Sequence, residues 1–185
     1  MKILEQTPGS VLWLLAGHEI LEQNLRREAR SRNVAPERLI FAPQADHPEH
    51  LARQARADLV LDTLHHTGGV TTAEALWTGL PVLTFAGPPS DRAGEALVTA
   101  AGMPELACRR EDFVETAVAL GRDDGRLAAL KAKLAENRDT CPLFDLERFT
   151  RHLEIAYEMI WQHFESGDSS RRIQVPALPR NGTSP

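Results

Sequence analysis

Short runs of consecutive apolar residues alternate along the chain with longer stretches in which large apolar positions recur every three or four residues. Residues 10–16 (SVLWLLA) are the first run. Residues 19–32 (EILEQNLRREARSR) are the first periodic stretch, with large apolar side chains at Ile20, Leu21 and Leu25 and charges elsewhere. A continuous apolar run reads as a buried strand, and the three-to-four spacing reads as a helix with one wet face. The same reading predicts strands at 39–41, 59–61 and 81–85, with a short fifth at Leu106 and Ala107. It predicts further helices over 47–57, from Val70 or Thr71 to Thr78, and over 92–101, 111–120, 124–138 and 145–166. Pro48 falls in the first turn of its helix, where a missing N–H breaks no bond.

Strand–helix alternation with apolar strands implies a parallel sheet covered on both faces, so the expected class is α/β, doubly wound and Rossmann-like. Residues 1–166 form the expected domain. From 167 to 185 the chain carries three prolines and no periodicity, and a disordered tail is expected there. One element is out of order. A nucleotide-binding half of this kind opens with a strand that ends up in the middle of the sheet. Here a single helical turn at 2–6 precedes the first apolar run, so that strand is expected to be missing.

Composition narrows the classes. Of 185 residues 42% are hydrophobic and 25% charged, enough to bury a core and to exclude disorder of the whole chain. The 21 basic and 26 acidic residues leave a net charge of −5, without the basic stripe that a nucleic-acid partner requires. No apolar run approaches the roughly 20 residues that span a bilayer, and the opening MKILEQTPGS has no apolar signal region. Cys108 and Cys141 are too few for a disulfide framework or a four-thiolate zinc site. A cytoplasmic protein with no membrane partner is the expectation.

Ligands of open α/β sheets sit beyond the carboxyl ends of the strands, against helix N-termini. Residues 42–50, 62–72 and 87–92 meet that condition. Within them, Gly68-Gly69-Val70-Thr71-Thr72 is the strongest local pattern: glycines admit a phosphate to the backbone, and hydroxyls and free amides donate to it. The same residues also fit a tight turn capped by Thr71, with Glu74 completing a capping box. There is no Walker lysine and no GxGxxG. His47, His50, His65 and His66 gather near one edge, but no HExxH accompanies them, so a base-stacking or exposed histidine is expected and no metal. Arg92 opens a helix, as a phosphate partner or a surface arginine. Trp77 reads as core, and Leu153, Tyr157, Ile160 and Trp161 as the docking stripe of the last helix.

Seven segments fall in the order of one family: 10–15 (SVLWLL), 36–41 (PERLIF), 57–63 (ADLVLDT), 75–84 (ALWTGLPVLT), 102–106 (GMPEL), 142–144 (PLF) and the closing Leu153, Glu154, Tyr157 and Trp161. The chain resembles, over about residues 2–167, the C-terminal catalytic half of the O-linked N-acetylglucosamine transferase family, with its TPR-linked and SPINDLY-type members. The resemblance implies the donor-binding half of a two-Rossmann glycosyltransferase, moving GlcNAc from UDP-GlcNAc to Ser or Thr. It implies that His50 lies against the uracil, the Ala45 backbone reads the base edge, His47 stands near the ribose and Arg53 near the nucleotide. Gly69, Thr71 and Thr72 fall on the diphosphate loop, and Glu74 on an acid, usually Asp, that reaches the ribose. Val70 stands where the family has the first of two threonines. By the same resemblance the diphosphate-binding lysine, the first Rossmann half and the TPR repeats that select protein acceptors would precede Met1. No catalytic residue, metal or other cofactor is assigned. The chain is expected to be inactive alone. The other readings are an orphan half-domain working only with a partner chain or as a dimer, and a SPINDLY-type user of GDP-fucose.

Overall fold

A computed structural model of the chain describes residues 1–63, 65–87, 93–167 and 172–178. The chain divides into two compact units, Met1–Arg138 and Asp139–Pro185.

The first unit is α/β. Helix α1 (Lys2–Gln6) precedes strand β1 (Leu12–Leu15), followed by α2 (Glu19–Ser31), β2 (Leu39–Ala42) and α3 (His47–Gln54). Then come β3 (Val60–Leu61), α4 (Val70–Trp77), β4 (Val82–Phe85), α5 (Ala93–Ala100), β5 (Ala107–Cys108), α6 (Phe113–Gly121) and α7 (Asp124–Asn137). Every pairing is parallel: Leu12 opposite Leu39 in β1–β2, Val60 opposite Val82 in β3–β4, and Thr84 opposite Ala107 in β4–β5. Among the described residues the five strands form two sheets, β1–β2 and β3–β4–β5. Parallel strands in this helix-rich order confirm the α/β class. Among the described residues no strand bridges β1 to β3.

Two cores result. Leu4, Ala29, Val34 and Leu39 pack under β1–β2, with Met1, Leu12, Leu25 and Phe41 against them. Arg38 ties the entry of that sheet together, donating to the carbonyls of Ser10 (2.7 Å) and Thr7 (2.8 Å). In the other sheet all four residues of β4 are buried, as a central strand covered on both faces requires. Phe85 stacks on Phe113 of α6, ring centroids 4.2 Å apart.

Trp77 corrects the sequence reading. It is half exposed, with the Arg138 guanidinium 5.6 Å from its ring. Helix α4 buries Thr72, Ala75 and Leu76 instead, and Trp77 lies one step round the helix from that face.

The second unit is dominated by α8 (Leu146–Glu165), capped by Asp145, whose side chain accepts from the Arg148 N–H at 2.9 Å. Leu153, Tyr157, Ile160 and Trp161 of α8 are exposed. Part of the segment expected to be a disordered tail is held: Arg148 donates to the Leu178 carbonyl at 3.0 Å, and the Leu178 N–H donates to His152 Nε2 at 3.1 Å. Among the described residues no helix is long and apolar enough to cross a membrane.

Candidate functional site

Helices α3 and α4 both begin at the carboxyl ends of strands, and their N-terminal turns meet. Asp46 caps α3, its carboxylate accepting from the Glu49 N–H at 3.0 Å. That cap sets His47 at the helix entrance, where its Nε2–H donates to Glu74 Oε1 at 2.8 Å. The contact joins residues 27 apart in sequence and brings the α3 and α4 candidates to one edge. His50 is one turn further into α3, half-buried, and Gln54 donates to its Nε2 at 2.9 Å. Ala45 is half-buried in the turn before α3. Arg53 is engaged below that turn, donating to the Pro43 carbonyl at 2.7 Å and pairing with Glu49 at 2.6 Å. It braces the segment that carries Ala45.

The loop from β3 into α4 is organised by a carboxylate that sequence reasoning passed over. Asp62 Oδ1 accepts from the N–H groups of Thr63 (2.8 Å) and Gly68 (2.9 Å), and Oδ2 accepts from the Thr84 hydroxyl at 2.6 Å. Thr84 is wholly buried in β4, the one polar side chain of that strand. Gly94 of α5 closes over both: a Cβ there would stand 2.2 Å from Thr84 Oγ1 and 2.6 Å from Asp62 Oδ2. The available signal was a threonine inside an apolar strand and an aspartate at a strand's carboxyl end. The Thr63 hydroxyl bonds the His66 carbonyl and tightens the same loop, while the side chains of His65 and His66 stay exposed.

Helix α4 starts at Val70, with Gly69 in the cap position and no side-chain cap. The expected Thr71 cap is therefore absent, because the helix opens two residues earlier than that cap requires and takes Thr71 into its first turn. Thr72 is buried and Thr71 exposed. Gly68 lies against both hydroxyls, since a Cβ on it would meet Thr72 Oγ1 at 2.5 Å and Thr71 Oγ1 at 3.0 Å. An uncapped helix start leaves backbone N–H groups and the positive end of the helix dipole for an anion. Val70, 73% exposed, adds an apolar surface at the same corner.

Arg92 and the loop 88–92 lie outside the described residues. Cys108, at the end of β5, has its thiol pushed above the ordinary value by burial, against a lowering by a hydrogen bond to Thr116. A protonated thiol is no nucleophile at neutral pH. Among the described residues no three His, Cys, Asp or Glu side chains gather as a metal site would require.

The model of glycosyl transferase family 41 matches residues 1–153. A UDP-N-acetylglucosamine–peptide N-acetylglucosaminyltransferase from Caenorhabditis elegans is 35% identical over 169 residues, 90% of this chain and 15% of that protein. The probable enzyme of the same name, SEC, from Arabidopsis thaliana is 34% identical over 179 residues, 94% of this chain and 18% of that protein. Among solved structures, a mutant of Thermobaculum terrenum O-GlcNAc transferase superposes with a TM-score of 0.79 at 36% identity, covering 87% of this chain and 32% of that one. The chain thus spans less than a fifth of the length of these two curated relatives.

Proposed function

The chain belongs to glycosyl transferase family 41, and from that membership we propose that it is the donor-binding portion of a protein O-GlcNAc transferase, holding the UDP of UDP-GlcNAc while the sugar passes to a Ser or Thr hydroxyl. The observation that carries this reading is the uncapped start of α4 beside the His47–Glu74 pair. A diphosphate needs N–H donors, and a ribose needs a carboxylate and an imidazole within reach. Both lie on one edge.

In the transfer, the acceptor oxygen forms a bond to the sugar carbon as the bond from that carbon to the diphosphate breaks. Negative charge grows on the departing phosphate. The N–H groups of the first turn of α4 and the Thr71 hydroxyl meet that charge, and donors already aligned need no reorganisation as it develops. Glu74 and His47 hold the ribose, the His50 ring lies against the base, and the Ala45 backbone reads the base edge. Arg53 acts through the turn it braces. Asp62 fixes the loop from which Gly68 and Gly69 approach the phosphates. The reading uses no metal or other cofactor. The proton on the acceptor hydroxyl goes to a base outside this set of residues, and the acceptor groove also lies outside it. The chain alone is therefore inactive and works in the cytoplasm with further polypeptide.

Calorimetry of the 185-residue chain against UDP, UDP-GlcNAc and GDP tests the reading. UDP and UDP-GlcNAc should bind at least about tenfold more tightly than GDP, a difference of about 1.4 kcal/mol. Tighter GDP binding would move the assignment to a GDP-sugar such as GDP-fucose. Silence toward all three would leave a half-domain with no donor site.

A further inference from the structure

Helix α3 carries two histidines one turn apart, and their ring nitrogens meet partners of opposite kind. His47 Nε2 faces the Glu74 carboxylate at 2.8 Å, a group that accepts, so this nitrogen carries a proton. His50 Nε2 faces the amide nitrogen of Gln54 at 2.9 Å, a group that only donates. The His50 Nε2 is therefore bare, and the proton of the neutral ring sits on Nδ1. We propose that Gln54 is a positioning residue for the base-binding edge: it locks the His50 ring in the Nδ1–H form and in one orientation before a base arrives. This rests on the sugar-nucleotide reading, in which His50 lies against the base.

The pair is built into the helix. Gln54 is the last residue of α3, four positions beyond His50. Long side chains on a helix lean back toward its N-terminus, which brings residues four apart into contact. Turning the amide over would offer Oε1 to the ring and demand the other tautomer. Burial decides against that arrangement. As it stands, Gln54 leaves Oε1 buried without a partner among the described residues. Turned over, the amide would bury N–H donors at that place instead, and orphaned N–H groups are rarer in proteins than under-used oxygens. His47 and Arg53 of the same helix are tied to Glu74, Glu49 and Pro43, and Gln54 does the same for His50. It grips the ring at the nitrogen farther from the backbone and leaves Nδ1–H as the ring's one donor. A ring already held there loses no rotational freedom when a base docks on its face.

Nitrogen NMR of the histidine rings in the full chain, without ligand and at neutral pH, reads the tautomer directly, and loss of signals in His50→Ala identifies the ring. His50 Nε2 should resonate as an unprotonated nitrogen and Nδ1 as a protonated one. A protonated Nε2 overturns the proposal. Calorimetry with UDP then reads the role. Gln54→Leu, close in shape and without hydrogen-bonding groups, should weaken UDP binding about three- to tenfold, the worth of one side chain that must be ordered on binding. In the His50→Ala background the same substitution should change nothing further, because Gln54 acts only through that ring. Equal losses in the two backgrounds would mean that Gln54 acts elsewhere, and overturn the proposal. UDP binding that is unaltered by Gln54→Leu overturns the role of Gln54 alone. A wild-type chain silent toward UDP removes the donor reading itself, and the proposal falls with it.

Discussion

The two sheets of the first unit are built from similar apolar runs and end in different states. In β3–β4–β5 the central strand is buried along its whole length, and Val82, Leu83 and Thr84 have no exposed surface. In β1–β2 the residues alternate: Leu12 and Leu14 turn inward, while Val11, Trp13, Leu15 and Ile40 are exposed, Leu15 at 67%. Equally apolar sequence is thus core in one sheet and surface in the other. Burial follows from what covers a strand, and only the second sheet has both neighbours and covering helices in place. The carboxylate network repeats the contrast: Asp62 and Thr84 lock β3 to β4, whereas β1 and β2 are stapled at their entry by Arg38.

The sharpest way to break this comparison is to truncate one leucine on each side. Leu83→Ala should cost about 2–5 kcal/mol, because a fully buried side chain leaves a cavity behind. Leu15→Ala should change stability by less than about 0.5 kcal/mol. Urea unfolding of both variants measures the difference, and similar losses would mean that β1 is covered as well as β4.

Next in size is Asp62→Ala, which leaves the Thr84 hydroxyl and two loop N–H groups without their acceptor. Bonds to a charged group are worth about 1.5–3 kcal/mol each in net terms, and a total loss of about 2–4 kcal/mol is expected because the exposed N–H groups recover water. Asp62→Asn should retain part of it. If both variants unfold at the wild-type urea concentration, the carboxylate does not hold the loop.

The helices and strands were legible because each is local: the apolar period located all five strands, and boundaries moved by a few residues at most. The resemblance assembled the candidate edge, and the structure adds the His47–Glu74 bond that joins its two helices. What stayed hidden was contact across the fold. Asp62, Thr84 and Gly94 come from the loop after β3, from β4 and from α5, and no period links them. Arg53 was placed near the nucleotide by the resemblance alone, and its contacts with Pro43 and Glu49 could not be read from the sequence. Trp77 was misread because large aromatic size suggests burial, whereas helical phase decides it.

Smaller effects belong to the ligand edge. His50→Ala should weaken UDP binding by about 1–3 kcal/mol, the worth of one base on an aromatic ring, and His65→Ala should leave it unchanged. Equal losses in calorimetry would disconnect His50 from the base. Thr71→Ala should cost about 1 kcal/mol of UDP affinity through one lost hydrogen bond with little change in the unfolding midpoint, since Thr71 is exposed.

Backbone amide shifts of the full chain, recorded as UDP is added, test the assignment of the donor edge most directly. The largest changes should fall on Gly68, Gly69, Val70 and Thr71, with a second group from Ala45 to His50, and the amides of β5 should stay still. Changes confined to residues outside α3, α4 and the loops before them would contradict the account.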